Sequence, residues 1–274
     1  MIRIRILGAA AGGGLPQWNC SCRNCSDARD GKIPRLTQSC VAISGDDRDW
    51  LLINASPDLP AQIESLPALQ AARHSPRNSP IRAIGLSNAD IDHTLGLILL
   101  RQSDQPPLVY APRAIRAELG WMKVVLGRFS GVDWRDPPQR FAQLELEVVN
   151  LGRSVAWLFR DRQKDATALI APAVPEISNK LNAAMQRADA ILFDGTFWSA
   201  DELKPFRPNA RSAREMGHLP VRETLPALAT MPARQRIYTH INNTNPILQP
   251  DSPQRKEVEA AGVLVGYDGL EIRL

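Results

Sequence analysis

A largely apolar run from Ile81 to Leu86 leads directly into Asn88-Ala89-Asp90-Ile91-Asp92-His93, and a second apolar run closes at Leu100. The order is strand, polar loop, helix. This segment constrains the fold most, because open sheets collect ligands at the carboxyl ends of buried strands. Two other strand patterns end the same way. Ala190-Ile191-Leu192-Phe193 stops at Asp194-Gly195-Thr196, and a strand at 235–239 runs through Tyr238-Thr239 into His240. Taken alone, Asp92 is an ordinary helix cap and His93 an ordinary interior residue. Three strand ends bearing carboxylate or imidazole groups point instead to one shared site.

Further strands are expected at about residues 2–7, Cys40 to Ser44, Trp50 to Asn54, and 107–111. Asn54-Ala55-Ser56-Pro57-Asp58 reads as a turn that starts a helix, capped by Ser56 or Asp58. Pro112 to Gly120 reads as helix, and residues 127–140, rich in Gly, Pro and Asp, as one long loop. Strands then recur at about 143–150, 153–159 and 167–171, followed by a helix near 175–187. Helices near 220–229 and at 253–260, then a closing hairpin, complete the chain. Two β-rich halves, each followed by helices and joined without a linker, predict a single α/β (α+β) domain over residues 1–274, built as an αββα sandwich.

Cys20, Cys22 and Cys25 form C-x-C-x2-C in a polar, glycine-flanked loop at about 18–30. Thiolates are soft ligands suited to Zn²⁺, and this spacing lets one loop wrap one ion, with the fourth ligand supplied from a distant segment. Such a site is structural and pins a loop that has no core of its own. Cys40 lies in strand pattern and reads as a small buried hydrophobe. His218, just before a helix, is a candidate acid/base group, with a backbone-bonded loop histidine as the plain alternative. His74 sits in a Ser/Pro/Asn loop and is expected to be solvated. The amides of Asn242 and its neighbours suit a hydrogen-bonded turn beside a site, or simple loop capping.

The bulk properties narrow the class. With 274 residues, 44% hydrophobic and 23% charged, the chain has ordinary globular composition and can bury a large core. The net charge is +4, but the arginines are scattered and no basic–aromatic interleaving occurs, which argues against nucleic acid as a partner. No apolar run approaches the ~18 residues of a membrane span. Met1-Ile2-Arg3-Ile4-Arg5-Ile6-Leu7 alternates as a strand does and lacks a secretory signal's unbroken apolar stretch, so the cytoplasm is the expected compartment.

Longer motifs carry a family resemblance. Gly12-Gly13-Gly14-Leu15-Pro16-Gln17-Trp18-Asn19-Cys20 with Cys22 and Cys25, Asn54-Ala55-Ser56-Pro57-Asp58, and Ile91-Asp92-His93-Thr94 are three of them. The others are Asp194-Gly195-Thr196, Arg214-Glu215-Met216-Gly217-His218-Leu219, and His240-Ile241-Asn242-Asn243-Thr244-Asn245-Pro246. Together they resemble the PqqB family of pyrroloquinoline quinone (PQQ) biosynthesis, within the metallo-β-lactamase superfamily. That superfamily presents H-x-H-x-D-H to a metal pair. Here Asn88 and Asp90 stand at the H-x-H positions, while Asp92 and His93 remain.

The resemblance implies a metallo-β-lactamase fold, a step in PQQ assembly, a small-molecule or peptide-derived PQQ precursor as partner and other proteins of the pathway; a homodimer is expected as well. Two roles attach to the family: transport of PQQ or a precursor towards the periplasm, and iron-dependent hydroxylation of a tyrosine derived from a precursor peptide. Losing H-x-H weakens one metal position and disfavours a binuclear zinc hydrolase. His93, His240 and Asp92 or Asp194 resemble the two-histidine, one-carboxylate set of non-haem Fe(II) oxygenases. An Fe(II)-dependent hydroxylase, with His218, Asp92 and Asp194 in its chemistry, is therefore the first expectation. A carrier using Arg211, Arg214 and Asn242 to hold carboxylates is the second, and an RNase Z-like phosphodiesterase the third. Related phosphodiesterases close the cysteine site with a histidine where this chain has Asn243, leaving His240, a carboxylate or water as its fourth ligand. The family also carries a longer segment between about residues 150 and 166, which this chain lacks.

Overall fold

The computed structural model describes residues 1–73 and 76–274. His74, expected to be solvated, lies outside the described residues.

The strands, in chain order, are β1 (Arg3–Gly8), β2 (Cys40–Ser44), β3 (Trp50–Ile53), β4 (Ile81–Gly85), β5 (Leu108–Tyr110), β6 (Asp133–Arg135) and β7 (Arg140–Phe141). They continue as β8 (Leu144–Asn150), β9 (Val155–Asp161), β10 (Ala166–Ala171), β11 (Ala190–Asp194), β12 (Gln235–Thr239), β13 (Leu264–Val265) and β14 (Glu271–Arg273). They form two seven-stranded sheets, ordered β14-β1-β2-β3-β4-β5-β6 and β13-β12-β11-β10-β9-β8-β7. Each sheet follows one plan. An antiparallel meander (β1 to β3, then β8 to β10) continues into three parallel strands (β4 to β6, then β11 to β13). Parallel strands need helical crossovers, which explains why each half gains its helices late.

The sheets meet over a core that contains Ile4, Ile6, Leu51, Trp157, Phe159 and Ile237, all essentially inaccessible. Trp157 of β9 reaches across the sandwich to Gly85 of β4, where an added Cβ would lie 2.8 Å from the indole. Trp157→Ala is therefore expected to destabilise the protein by about 3–5 kcal/mol, the usual result of emptying a large aromatic site. Urea unfolding at neutral pH would measure it.

Two local expectations are corrected. Residues 127–140 are not one loop, because Asp133–Arg135 forms the edge strand β6, paired in parallel with β5. Three residues with Asp and Arg at both ends carry too little apolar periodicity to announce a strand; the pairing comes from the exposed edge of β5. Nor is the C-terminus a hairpin. β13 joins β12 while β14 joins β1, so the chain crosses from one sheet to the other. Asp268 anchors the crossing by accepting from Ala9 N (2.9 Å) and Thr37 N (2.7 Å). Among the described residues no helix is long and apolar enough to cross a membrane.

Candidate metal centres and the adjoining cleft

The loop after β4 is held from below. Asn54, at φ 68° beyond β3, accepts Ser87 N on its side-chain oxygen (2.9 Å), and Ala55 N donates to His93 O (2.7 Å). The helix expected here is split into Ile91–Thr94 and Gly96–Leu99. At Gly96 a Cβ would sit 2.4 Å from Ser56 O, so only glycine lets the second segment lie on the β3 turn. Asp58 occupies the first position before the helix Leu59–Ser65 but does not cap it. Its carboxylate accepts from Gln38 N instead (2.8 Å).

Across the sandwich, Gly195 packs against Tyr238, where a Cβ would approach to 2.8 Å, and this brings the ends of β11 and β12 together. His240 leaves β12 at φ 56°. That left-handed conformation costs an ordinary residue roughly 1–2 kcal/mol and is fixed by Ile241 N to Ala9 O (2.8 Å) and Asn242 N to Thr196 O (3.0 Å). Three of the chain's four histidines thereby meet. His93 and His240 lie edge to face with ring centroids 4.9 Å apart, and His218 stacks on His240 at 5.3 Å.

Ligand atoms of Asp92, His93 and His240 all lie within 4.8 Å of one another, as do those of Asp194, His218 and His240. His240 Nε2 faces Asp92 Oδ2 at 3.1 Å. His93 is fully buried and neither ring nitrogen has a hydrogen-bond partner. An orphaned, buried imidazole beside a carboxylate and a second imidazole fits a divalent cation. Burial drives His93 down to about 4, against the pull of Asp92, so the ring is neutral and able to ligate at neutral pH. Burial acts to raise the Asp92 pKa, but His93 and His240 outweigh it and hold the carboxyl far below its usual range.

Asp194 is placed differently. Its Oδ1 accepts from Thr196 N (3.0 Å) and Thr196 Oγ1 (2.6 Å), and its Oδ2 from Val174 N (2.7 Å) and His218 Nδ1 (2.7 Å). Four donors occupy the carboxylate, which thus anchors its neighbours. At the altered positions, Asn88 Nδ2 donates to Asp90 Oδ2 (2.6 Å), and Asp90 N donates back to Asn88 Oδ1 (3.1 Å). The two substituted residues satisfy each other.

A cleft of about 450 Å³ opens beside this centre, lined by Asn88, Asp90, Arg153, Arg211, Arg214 and His218 among others. Arg214 pairs with Glu223, and Arg153 lies 3.4 Å from Glu118. Asn242, expected to hold a ligand, donates its amide to Thr244 Oγ1 (2.6 Å) and is not among the lining residues. Arg153 was not anticipated. It sits in the short turn between β8 and β9, and only the folded hairpin carries it to the cleft.

The cysteine centre lies on the far side of the His240 turn. The three sulfurs are within 4.8 Å of one another, with Cys25 in the first turn of the helix Arg23–Arg29. Asn243 aims its carboxamide into the triad, with Nδ2 3.2 Å from Cys20 Sγ, 3.2 Å from Cys25 Sγ and 3.7 Å from Cys22 Sγ. Asn24 fixes that turn by donating to Asn243 O and Asn245 O, both at 2.9 Å. His240 keeps both nitrogens on Asp92 and Thr196, away from the sulfurs. Burial pushes Cys22 up to about 12. Three sulfurs within 4.8 Å of one another fit a cation that replaces their protons.

A two-sheet sandwich with ligand residues at converging strand ends defines a metallo-β-lactamase-type domain, and the beta-lactamase superfamily profile matches residues 49–241. The comparisons narrow the class further. The chain is 39% identical, over 305 aligned positions and the full length of both, to the coenzyme PQQ synthesis protein B of Azoarcus sp. (strain BH72). It also matches the crystal structure of Zn(2+)-bound PqqB from Methylobacterium extorquens with a TM-score of 0.91 and 32% identity, covering 99% of this chain and 100% of that one. The chain belongs to the coenzyme PQQ synthesis protein B family. A diphosphatase of the PhnP family shares the fold, with a TM-score of 0.71, 18% identity, and coverage of 100% of this chain and 98% of that one. The alignment of 305 positions exceeds the 274 residues present, so the Azoarcus protein carries segments this chain lacks. One expected place for such a segment, after residue 150, is here a tight turn between β8 and β9.

Proposed function

We infer that this protein is an Fe(II)-dependent hydroxylase acting on a tyrosine-derived PQQ precursor, with one metal held by His93, His240 and Asp92. The observation that carries this reading is the pair of unpartnered nitrogens on fully buried His93, set beside the other two ligands. Two imidazoles and one carboxylate form the donor set of mononuclear non-haem iron sites. Asn88 and Asp90, hydrogen-bonded to each other, support one metal rather than two. Bound Fe(II) would supply the one-electron chemistry needed to use dioxygen.

The protein's own groups supply the rest. His218 donates its Nδ1 proton to Asp194, which leaves Nε2 as the acceptor at the cleft wall. There it serves as the base that takes a phenolic proton. Arg211 and Arg153 offer forked donors for the precursor's carboxylates. Single-turnover assays with a tyrosine-containing precursor, under air and under nitrogen, test the reading. Oxygen-dependent hydroxylation supports it. Binding of the precursor without turnover by iron-loaded protein would move the assignment to a carrier of PQQ or its precursor, a role the arginine-lined cleft also suits.

At the other centre, Cys20, Cys22 and Cys25 would hold a structural zinc, with Asn243 as fourth ligand through Oδ1 after a half-turn of its carboxamide. Cys22→Ser is expected to release this zinc and leave the active-site metal in place, as elemental analysis would show. Zinc retention should also fall as pH falls, because protons compete with the metal for the three sulfurs.

A further inference from the structure

Thr196 follows the site carboxylate Asp194 by two residues and is almost fully buried, and it belongs to neither group of candidate metal ligands around His240. Its hydroxyl touches three groups at once: Asp194 Oδ1 at 2.6 Å, His240 Nδ1 at 2.7 Å and His218 Nδ1 at 3.0 Å. A hydroxyl has one proton to give and two lone pairs. The Asp194 carboxylate can only accept, since its pKa is held low by His218, His240 and Thr196 in spite of burial. The Thr196 proton therefore goes to Asp194. His218 Nδ1 donates to Asp194 Oδ2, its nearer and ionised partner at 2.7 Å. What remains on Thr196 is a lone pair facing His240, so His240 Nδ1 is the atom that carries a proton.

We propose that Thr196 is a positioning residue that fixes the tautomer and ring angle of His240, presenting Nε2 as a ligand beside Asp92. The proposal rests on the active-site metal inferred above. Through Asp194 one carboxylate orients both imidazoles, His218 directly and His240 by way of the hydroxyl. Removing the partner of a ligating imidazole typically weakens metal binding about 10- to 100-fold.

The test titrates Co(II) into protein whose cysteine centre keeps its zinc, for wild type, Thr196→Val and Thr196→Ser. Valine has nearly the same shape and cannot accept a proton; serine retains the hydroxyl. Thr196→Val is expected to bind Co(II) roughly 10- to 100-fold more weakly and to show an altered Co(II) absorption spectrum. Thr196→Ser should recover most of the affinity. Heteronuclear NMR of the proteins with zinc at the cysteine centre and no active-site metal should find His240 protonated at Nδ1 in wild type and Thr196→Ser, and a mixture of tautomers in Thr196→Val. Zinc retained at the cysteine centre certifies that each variant is folded. Equal Co(II) affinity in wild type and Thr196→Val overturns the proposal. If wild type shows no Co(II) site sensitive to His93→Ala, the active-site metal itself is wrong, and the orienting role falls with it.

Discussion

His93→Leu is expected to abolish binding of the proposed active-site metal and yet make the metal-free protein more stable. The two ring nitrogens are buried without partners, and each such atom costs about 1–3 kcal/mol. Leucine fills nearly the same volume with no polar atom to strand. Urea unfolding at pH 7, with the active site free of metal, should therefore show a gain of about 2–6 kcal/mol. Metal affinity should fall by more than the roughly 100-fold expected from losing only a supporting partner, and the proposed hydroxylation should disappear with it. A marked loss of stability would mean that His93 has a bonding role in the apo protein that its geometry does not show. The pH dependence has a definite sign. His93 is depressed from 6.5 to about 4 by burial, so its titration costs no stability above pH 6.5, and the protein loses stability as the pH falls from there through about 4. His93→Leu should remove that acid-side loss.

The second large effect concerns His218. Burial alone would lower its pKa, but Asp194 2.7 Å away, with Asp92 and Asp90 beyond, raises it above 6.5. In its proposed role as base His218 works deprotonated, so turnover should climb with pH through a midpoint above 6.5. Asp194→Asn removes the charge that raises the pKa and leaves burial in control, so the midpoint should move to lower pH. Turnover at the optimum should also fall, because the anchor of both imidazoles is weakened. His218→Ala should cost about 10²- to 10⁴-fold, the usual contribution of a positioned acid or base, with little change in metal content. A pH–rate profile of each variant settles the role. An unmoved midpoint in Asp194→Asn would exclude His218 as the titrating group.

Much of the architecture was legible in sequence because it follows from local pattern. Cys40–Ser44, Gln235–Thr239 and Pro253–Ala260 carry apolar periodicity or capping signals, and each element lies where the pattern placed it. β6 and the C-terminal crossing were not legible, since a three-residue edge strand and a chain that changes sheets are decided by available edges rather than by their own residues.

The same division runs through the site. Sequence alone determined that ligand-type residues end three strands and that three cysteines share one loop, because residue type and spacing are local properties. Only the tertiary structure decided which atoms are free. Asp194 and His93 look alike as candidate ligands, but one carboxylate receives four donors and the other side chain receives none. No pattern in the sequence shows that the turn after His240 sets the Asn243 carboxamide among the sulfurs. Hydrogen-bond satisfaction depends on neighbours far apart in the chain, so the fold, and no pattern within it, separates the groups that anchor from those left to bind.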